Sequence, residues 1–558
     1  PLPHDAAVSG FVMTIGERKI RGIVREREEA KAIYEEAKRQ GYVAALLTQA
    51  RPNIFTQSVA NIEPGKTIDV EIRYFNALPV KDGWIEFAFP MVVGPRFNPP
   101  GIADGIGAAP RGGRSASGQR TEVPYLKPGE RSGHEISLSV EIDAGVLIKS
   151  LECPTHEIER TASLESGRAR ISLARRDAVP NKDFVLRWRV AGKEALPALV
   201  MHRDGRGGFF LLTLHPPAGL EDSPRQPVEF VFLLDTSGSM SGSPLAKAKA
   251  AAERAIRRLS PGDTFQIIRF ANGVSAMGEK PVPATPENVR RGLGYLGSLG
   301  AGGGTMMENG IRAALEPAVA EGRRRFVMFM TDGYIGNEDD IFDEVRRHLG
   351  GARIFSFGVG TSVNRHLMEG LARLGRGAVA YVGLGADDGK EVDLFFERVR
   401  RPALADVSLD FGGVAVRDVY PKRVPDLFDG RPVTIVGRFD EASGPLEIRI
   451  RGTAGGEARA FRVSVDPGSS SEHPAISRVW ARLKIAELDD FASREGKAEC
   501  REEAKRTALD YGLVSAYTSF VAVDASKRTQ GDHGTTVPVP VPVPEGVRYD
   551  TTVPEGGR

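Results

Sequence analysis

The sequence predicts a multidomain α+β protein in which β-rich, sandwich-like segments flank one doubly wound, Rossmann-like α/β domain. Three observations support this fold class. In residues 226–402, short apolar runs typical of strands buried on both faces alternate with helical stretches. Short segments typical of β-strands lie on both sides of that block. Residues 468–530 contain two helical patterns, which predict a C-terminal helical segment.

Composition excludes several classes of protein. The 558 residues include 75 Lys and Arg against 73 Asp and Glu, a formal net charge of +2. This balance argues against nucleic acid as a partner and against a polybasic membrane anchor, since both need surplus positive charge. No apolar run reaches the roughly 18 residues that cross a bilayer. The two cysteines, Cys153 and Cys500, exclude a disulfide scaffold; they could pair with each other or remain free thiols.

The first predicted unit covers residues 1–98. A hairpin is expected around Gly16, and strong helix formers predict a helix over 27–41 that stops at Gly41. Strands are expected at 55–62 and 67–75. Residues 99–133, rich in Pro, Gly, Ser and Arg, are predicted to form a linker or long loop.

Two strand-rich segments, 134–225 and 403–467, lie on either side of the central block. Their similarity suggests that the central domain is inserted into, or sits between, parts of one β unit. Residues 468–530 should form the two helices and a final strand at 518–523. The tail, 531–558, alternates Val and Pro over 537–544, which favours an extended polyproline II segment.

The central block is predicted to contain a parallel sheet with helices between its strands. The strands are expected at 229–235, 264–270, 325–332 and 353–360. The helices are expected at 244–259, 311–315, 339–349, 364–374 and 393–400.

Oxygen-bearing side chains follow the ends of these strands. Asp235, Ser237 and Ser239 occupy alternate positions of one loop, Thr305 follows three glycines, and Asp332 ends a later strand. Because ligands bind at the carboxyl edge of open α/β sheets, all five should lie at that edge. Carboxylate and hydroxyl oxygens without nitrogen or sulfur suit Mg²⁺, Mn²⁺ or Ca²⁺ rather than zinc. The sequence therefore predicts a divalent-cation site.

This combination resembles the metal-ion-dependent adhesion site of von Willebrand factor type A domains. The resemblance lies in the Asp-x-Ser-x-Ser loop, the distant Thr and the later Asp, in that order at strand ends. It implies that Ser237, Ser239 and Thr305 ligate the cation directly, while Asp235 and Asp332 divide direct and water-mediated roles. It also implies an open coordination position for an acidic side chain of a partner. Two carboxylates roughly cancel the charge of the ion but leave it able to attract another anion.

The N-terminal unit resembles the VIT domain, which precedes a von Willebrand A domain in inter-alpha-trypsin inhibitor heavy chains and their bacterial relatives. The resemblance is carried by segments within 34–37, 41–47, 51–55, 59–62 and, near the C-terminal end, 509–523. VIT domains usually begin with several strands upstream of the position equivalent to Pro1, so the first strands are expected to be missing. The resemblance implies an extracellular or periplasmic protein of the cell envelope, although residues 1–5 show no signal peptide.

The leading functional hypothesis is non-enzymatic, divalent-cation-dependent adhesion or binding of a protein or other macromolecular ligand that presents a carboxylate. The alternative is a cell-envelope scaffold or assembly factor whose metal site engages a fixed partner subunit or the chain's own tail, through Glu545 or Asp550. Secreted heavy chains carry an Asp-Pro-His processing signal for attachment to a glycosaminoglycan. Here Asp466 and Pro467 are followed by Gly468, so covalent hyaluronan attachment is not supported.

Enzymatic hypotheses have less support from the sequence. A haloacid-dehalogenase-type phosphatase needs Asp at position 237, where this chain has Ser. A nucleophile elbow fails because Met240 occupies its centre, and a zinc-protease motif fails because Arg160 replaces its second histidine. No Walker A lysine motif is present. The sequence therefore favours binding over hydrolysis.

Overall fold

A computed structural model describes most of the chain. The described residues are 1–3, 5–51, 53–81, 83–92, 126, 130, 133, 135–144, 147–160, 167–177, 179–190, 198–214, 226–383, 389–399, 402, 404–412, 415–428, 431–440, 446–465, 473–495, 498–529, 537 and 545. The predicted linker at 99–133 lies outside them except for three single positions, and so does most of the predicted Val-Pro segment.

The N-terminal region begins with the predicted hairpin and helix. Its elements are β1 Ala7–Ile15, β2 Arg18–Arg21, β3 Ile23–Glu26, α1 Arg27–Arg39, β4 Tyr42–Arg51, β5 Ile54–Ala60, β6 Ile68–Phe75, β7 Val80–Lys81 and β8 Trp84–Phe89. Gly16 lies in the turn between β1 and β2 with a φ of 58°, a left-handed conformation that favours glycine. Strand β1 also pairs antiparallel with β6. Helix α1 buries Ala30, Tyr34 and Ala37, the apolar stripe of the sequence.

The next region forms short antiparallel strands, as the sequence predicts. They are β9 Ser139–Asp143, β10 Ile148–Glu152, β11 Ile158–Arg160, β12 Arg168–Leu173, β13 Phe184–Val190, β14 Ala198–Asp204 and β15 Gly207–Leu214. One sheet has the order β10–β13–β8–β7 and another has the order β11–β12–β9. Their apolar faces share a core that includes Ile171, Phe184 and Trp188. Strands β7 and β8 therefore pair with this region rather than with β1–β6.

The central region alternates strands and helices. Its elements are β16 Val228–Asp235, α2 Ser243–Ile256, β17 Thr264–Phe270, β18 Val274–Ala276, β19 Val282–Pro283, α3 Pro286–Ser298, α4 Met307–Leu315, β20 Arg324–Thr331, α5 Glu338–His348, β21 Arg353–Val359, α6 Arg365–Leu374, β22 Val379–Val382 and α7 Gly389–Val399. The strand order is β18–β17–β16–β20–β21–β22, and β19 also pairs with β17. Strands β16, β17, β20, β21 and β22 are parallel.

Helices cover both faces of this sheet. Along β16, Phe230 and Phe232 pack into a core with residues of α2 and α7, while Val231 and Leu233 pack into a second core with residues of α4, α5 and α6. Successive strand residues point to opposite faces, so a strand buried on both faces is apolar along most of its length. The prediction of a doubly wound α/β domain is confirmed.

One sheet combines strands from both sides of this domain. The remaining elements are β23 Ala405–Asp410, β24 Val416–Tyr420, β25 Val433–Phe439, β26 Leu446–Ala454, β27 Glu457–Val465, α8 Ala475–Glu495, α9 Ala498–Tyr511 and β28 Thr518–Arg528. Strand β25 pairs antiparallel with β15 along its whole length, within a sheet of order β14–β15–β25–β24. The α/β domain is therefore inserted into a single β unit.

Helix α8 packs on that β unit. Trp480 is almost fully buried, its ring centroid lies 5.4 Å from that of Phe209, and its indole N–H donates a hydrogen bond of 2.9 Å to the Asp418 carbonyl. Ile476 and Val479 join the same core. The apolar spacing of this helix thus faces the body of the protein, as its sequence pattern indicates.

The final strand lies between two N-terminal strands. Strand β28 pairs antiparallel with β3, where Thr518 is opposite Glu26, and with β4, where Phe520 is opposite Leu47. The Phe520 ring stacks on Phe11 with 6.0 Å between centroids. The N-terminal sheet β3–β28–β4–β5 is therefore completed by residues from the far end of the described chain.

We expect the Phe520→Ala substitution to lower the free energy of unfolding by about 3–5 kcal/mol, because it removes a buried ring from this sheet. Phe520 is 4% exposed. The matched control is Leu509→Ala on α9, where the side chain is 40% exposed and the loss should be below about 0.5 kcal/mol. Urea denaturation measures both values, and equal losses would contradict the burial argument.

A buried histidine makes stability depend on pH. His156 is 6% exposed, its Nδ1 lies 3.0 Å from Thr155 Oγ1, and burial lowers its pKa to about 4. The unfolded chain, with a histidine pKa of about 6.5, binds the proton more tightly, so stability is lost as the pH falls from 6.5 toward 4. We expect a loss of about 1–3 kcal/mol in this window. Denaturation at several pH values should show a flatter profile for His156→Phe than for the wild type.

Candidate metal centre

Two predicted ligand loops leave the sheet side by side. Strands β16 and β20 are parallel neighbours, with Leu234 opposite Met330. Strand β16 is apolar from Phe230 to Leu234 and β20 from Phe326 to Met330, and the strands end at the polar residues Asp235 and Thr331. The parallel register therefore brings Asp235 next to the Thr331–Asp332 turn at the carboxyl edge.

Asp235 is held at both carboxylate oxygens. It is fully buried, and its Oδ1 accepts a hydrogen bond of 2.8 Å from the Ser237 N–H. Its Oδ2 accepts a hydrogen bond of 2.6 Å from the Thr331 hydroxyl. Burial raises the pKa of Asp235, while the hydrogen bonds from Thr331 and Ser237 oppose that shift. A cation beside this carboxyl would favour its ionised form.

The two serines of the first loop lie together. Ser237 is buried and Ser239 is half-buried, and their Oγ atoms are 3.2 Å apart. Residues Gly238–Met240 form a single 3-10 turn, which keeps Ser239 close to Ser237. Both hydroxyls are therefore presented from one short turn next to Asp235.

Backbone hydrogen bonds join the glycine loop to the Asp235 loop. Gly302 N–H donates to the Thr236 carbonyl at 2.8 Å, and Gly238 N–H donates to the Gly303 carbonyl at 2.9 Å. On the other side, the Asn272 side chain accepts a hydrogen bond of 2.6 Å from Gly304 N–H. These contacts fix the segment that leads into Thr305, which is 5% exposed.

The third loop is fixed by its own turn and by the segment before α6. Asp332 Oδ1 accepts a hydrogen bond of 3.0 Å from Tyr334 N–H, and the side chain is buried. Asn364 N–H donates to the Asp332 carbonyl at 3.1 Å, and the Asn364 side-chain amide donates to the Gly333 carbonyl at 3.0 Å. Gly333 has a φ of 73°, and a Cβ there would lie 2.9 Å from Asn364 Cβ. Only glycine allows this close approach.

The structure thus brings the three loops that carry Asp235, Ser237, Ser239, Thr305 and Asp332 to one edge of the sheet. The donor set contains two carboxylates and three hydroxyls, which fits a hard divalent cation such as Mg²⁺, Mn²⁺ or Ca²⁺. The described residues contain no group of three or more His, Cys, Asp or Glu side chains that could hold a metal ion. A site of this kind depends on hydroxyls as much as on carboxylates.

Three supporting residues are not predicted by the sequence analysis: Thr331, Asn272 and Asn364. Thr331 directly precedes Asp332, but its bond to Asp235 depends on strand pairing. Asn272 follows the end of β17, so its position at a strand end is a usable signal. Asn364 accepts a hydrogen bond of 3.3 Å from Leu367 N–H and thereby caps α6, a role that its residue type favours.

Glu545 contacts residues other than the predicted ligands. Its carboxylate lies 3.5 Å from Lys182 Nζ, its N–H donates to the Asn181 carbonyl at 2.8 Å, and its carbonyl accepts a hydrogen bond of 2.6 Å from the Thr361 hydroxyl. Asp550, the other predicted internal acid, lies outside the described residues. Cys153 and Cys500 are free thiols. None of the described helices is long and apolar enough to span a membrane.

Comparisons with known proteins identify two domains. Residues 1–74 match the vault protein inter-alpha-trypsin domain, VIT, and residues 228–381 match the von Willebrand factor type A domain. The chain is therefore a protein that combines a VIT domain with a von Willebrand A (VWA) domain, and the resemblance stated from the sequence is confirmed.

Its relatives include inter-alpha-trypsin inhibitor heavy chains. The chain is 25% identical to human inter-alpha-trypsin inhibitor heavy chain H3 over 93% of its own length and 58% of that protein. It is 25% identical to human von Willebrand factor A domain-containing protein 5A, over 95% of this chain and 70% of that protein. It is also 23% identical to mouse protein mono-ADP-ribosyltransferase PARP4, where the match covers 94% of this chain and 26% of that protein. The chain thus spans less than two thirds of heavy chain H3.

The glycine loop provides a test of the site's architecture. Gly303 has a φ of 86°, and a Cβ there would lie 2.7 Å from the Asn272 amide nitrogen, whereas a Cβ at Gly302 would meet nothing within 4 Å. We expect Gly303→Ala to cost about 1–3 kcal/mol, because it combines backbone strain with a clash. Gly302→Ala should change the free energy of unfolding by less than about 1 kcal/mol. Guanidinium denaturation compares the two, and equal effects would contradict the described loop geometry.

Proposed function

We propose that this protein is a non-enzymatic, divalent-cation-dependent adhesion or ligand-binding protein whose partner is a protein or other macromolecule that presents a carboxylate. The observation that supports this proposal most is the meeting of three loops with five oxygen-bearing side chains at the carboxyl edge of the VWA sheet. The predicted ligands are Asp235, Ser237, Ser239, Thr305 and Asp332, and Mg²⁺ is the favoured ion, with Mn²⁺ or Ca²⁺ as substitutes.

The chain's own residues would prepare this site before a partner arrives. Thr331 and the Ser237 N–H orient the Asp235 carboxylate. The hydrogen bonds of Gly302 and Gly304 fix the segment before Thr305, and those of Asn364 fix the backbone at Asp332. A bound divalent cation would supply a positive charge that attracts a partner carboxylate. Preorganised ligands reduce the ordering cost of binding.

The proposal extends to the protein's class and location. Heavy chain H3 is named as part of an inhibitor and protein 5A for its von Willebrand factor A domain, and about three quarters of the relative named for an enzyme lies outside the match. We propose that the chain is a binding protein that acts outside the cytoplasm, in the cell envelope or extracellular space. Nucleic acid and covalently attached hyaluronan are not part of the proposal.

A scaffold function is the second candidate. The contact between Glu545 and Thr361 ties the tail to the VWA domain three residues before Asn364, on the side of the metal loops. If the protein is a scaffold, the tail or a fixed partner subunit would cover the metal site.

Isothermal titration with MgCl₂ tests the metal site. We expect Asp235→Asn to weaken Mg²⁺ binding at least about 10-fold, because it removes one of the two negative charges while keeping the side-chain shape. The matched control is Asp393→Asn on α7, whose carboxylate pairs with Arg254 and Arg258 in a surface ion pair. This control should bind Mg²⁺ as the wild type does.

Circular dichroism would confirm that both variants fold. Equal Mg²⁺ affinity for Asp235→Asn and the wild type would overturn the proposed site. Mg²⁺ binding that appears only after removal of residues 537–558, which would uncover the site, would favour the scaffold function over free adhesion.

A further inference from the structure

We propose that residues 361–365, the coupling segment, link the cation site to the docking of a β-sheet on the VWA domain. We use the name docking sheet for the sheet β10–β13–β8–β7 together with Asp183 and residues 90–92. Cation binding and docking of this sheet would stabilise each other. The inference rests on the proposed function, because it concerns regulation of that same site.

One side of the coupling segment contacts the metal loops. Asn364 donates from its N–H to the Asp332 carbonyl at 3.1 Å and from its side chain to the Gly333 carbonyl at 3.0 Å. The same side-chain amide donates to Glu338 at 2.9 Å. Asn364 is 1% exposed, so these bonds are shielded from water. The position of Asn364 therefore determines the position of the backbone that carries Asp332.

The other side of the segment contacts the docking sheet. The Thr361 carbonyl accepts a hydrogen bond of 3.0 Å from Asp183 N–H, and the Ser362 hydroxyl donates to the Val92 carbonyl at 3.1 Å. The Arg365 guanidinium lies 3.3 Å from Glu86 and 3.9 Å from Asp183. Within this five-residue segment, Thr361, Ser362 and Arg365 thus contact the docking sheet, while Asn364 contacts the metal loops.

Burial makes docking a discrete state. Glu86 is 3% exposed and Asp183 5%, and the Arg365 guanidinium also lies over the Tyr381 ring at 4.0 Å. Glu86 would keep its pair with Arg187 of the docking sheet at 3.0 Å, but the Arg365 guanidinium would lose the carboxylates of Glu86 and Asp183. Removing the partners of a largely buried charge costs several kcal/mol, so a half-separated arrangement is unfavourable. Packed interfaces of this kind switch between arrangements rather than deform continuously.

The interface also has room to rearrange. A cavity of about 360 Å³ is lined by Glu86 and Arg365 from the interface, by Glu369 and Arg373 from α6, and by residues of β25 and α8. Protein interiors are normally close-packed, and a cavity of this size leaves one side of the Glu86–Arg365 pair without tight support. The Glu86–Arg365 pair thus borders open space on one side, where the interface is not reinforced by close packing.

The direction of the coupling follows from these contacts. In the docked arrangement Asn364 is held against Asp332 and Gly333, which prepares the Asp332 loop for a cation. Loosening the docking sheet frees the coupling segment, so cation affinity should fall. Because coupling between two sites is reciprocal, a bound cation should in turn strengthen docking.

The experiment measures Mg²⁺ affinity by isothermal titration in the full chain with Glu86→Gln, Arg365→Met or Ser362→Ala. None of these residues is a predicted ligand. We expect about 5-fold weaker binding for Glu86→Gln and Arg365→Met, the lower range of typical coupling, and a smaller loss for Ser362→Ala. The milder Ser362→Ala and the isosteric Glu86→Gln keep the test valid should Arg365→Met fail to fold.

The control is Arg353→Met. This arginine forms a buried ion pair of 2.6 Å with Asp426 at the opposite end of β21, so its loss lowers stability without touching the coupling segment. Its Mg²⁺ affinity should stay within about 2-fold of the wild-type value. A loss of affinity as large as that of Glu86→Gln would assign the effect to general destabilisation and overturn the coupling.

Hydrogen exchange gives the reciprocal measurement. Mg²⁺ should slow exchange of the Asp183 amide in the wild type and not in Asp235→Asn. Normal Mg²⁺ affinity in all three interface variants would overturn the coupling and leave the proposed function intact. A wild-type chain that binds no Mg²⁺ would overturn both.

Discussion

The buried carboxylate of Asp235 is the constraint around which the functional edge is built. Removing a charged group from water is costly unless the protein replaces the lost hydrogen bonds. Here the Ser237 N–H of the same loop and the Thr331 hydroxyl of the neighbouring strand provide these bonds. The Thr331 hydroxyl is in reach because β16 and β20 end in register. The loop geometry needed to satisfy one acid also places serine and threonine hydroxyls beside it.

The inserted VWA domain is held at both ends of one strand. At the start of β21, Arg353 pairs with Asp426 at 2.6 Å and with Asp406 at 2.7 Å, both from the β unit that follows the domain. Beyond its end, the coupling segment contacts Asp183 and Val92 from the β region that precedes it. The two ends of β21 are therefore held by different β regions, one that follows the VWA domain in the chain and one that precedes it.

The sequence predicts local features well and long-range pairings poorly. Apolar runs identify β16, β17, β20 and β21, and polar residues at their ends identify the candidate ligands. Helix α3 is not predicted, because it contains three glycines, yet the Thr285 cap supports it and a Cβ at Gly292 would lie 2.8 Å from the Phe265 ring. The pairing of β8 with β13 and the bonds of Asn272 and Asn364 depend on segments far apart in sequence, which local patterns do not encode.

The insertion of β28 between β3 and β4 has a consequence for biosynthesis. A ribosome releases the VIT strands first and the strand that completes their sheet more than four hundred residues later. During that interval the facing edges of β3 and β4 have unpaired backbone groups, which are templates for wrong pairing. The VWA domain, whose strands are contiguous in sequence, can mature in the meantime. The N-terminal sheet β3–β28–β4–β5, most of whose strands are synthesised first, is therefore completed last.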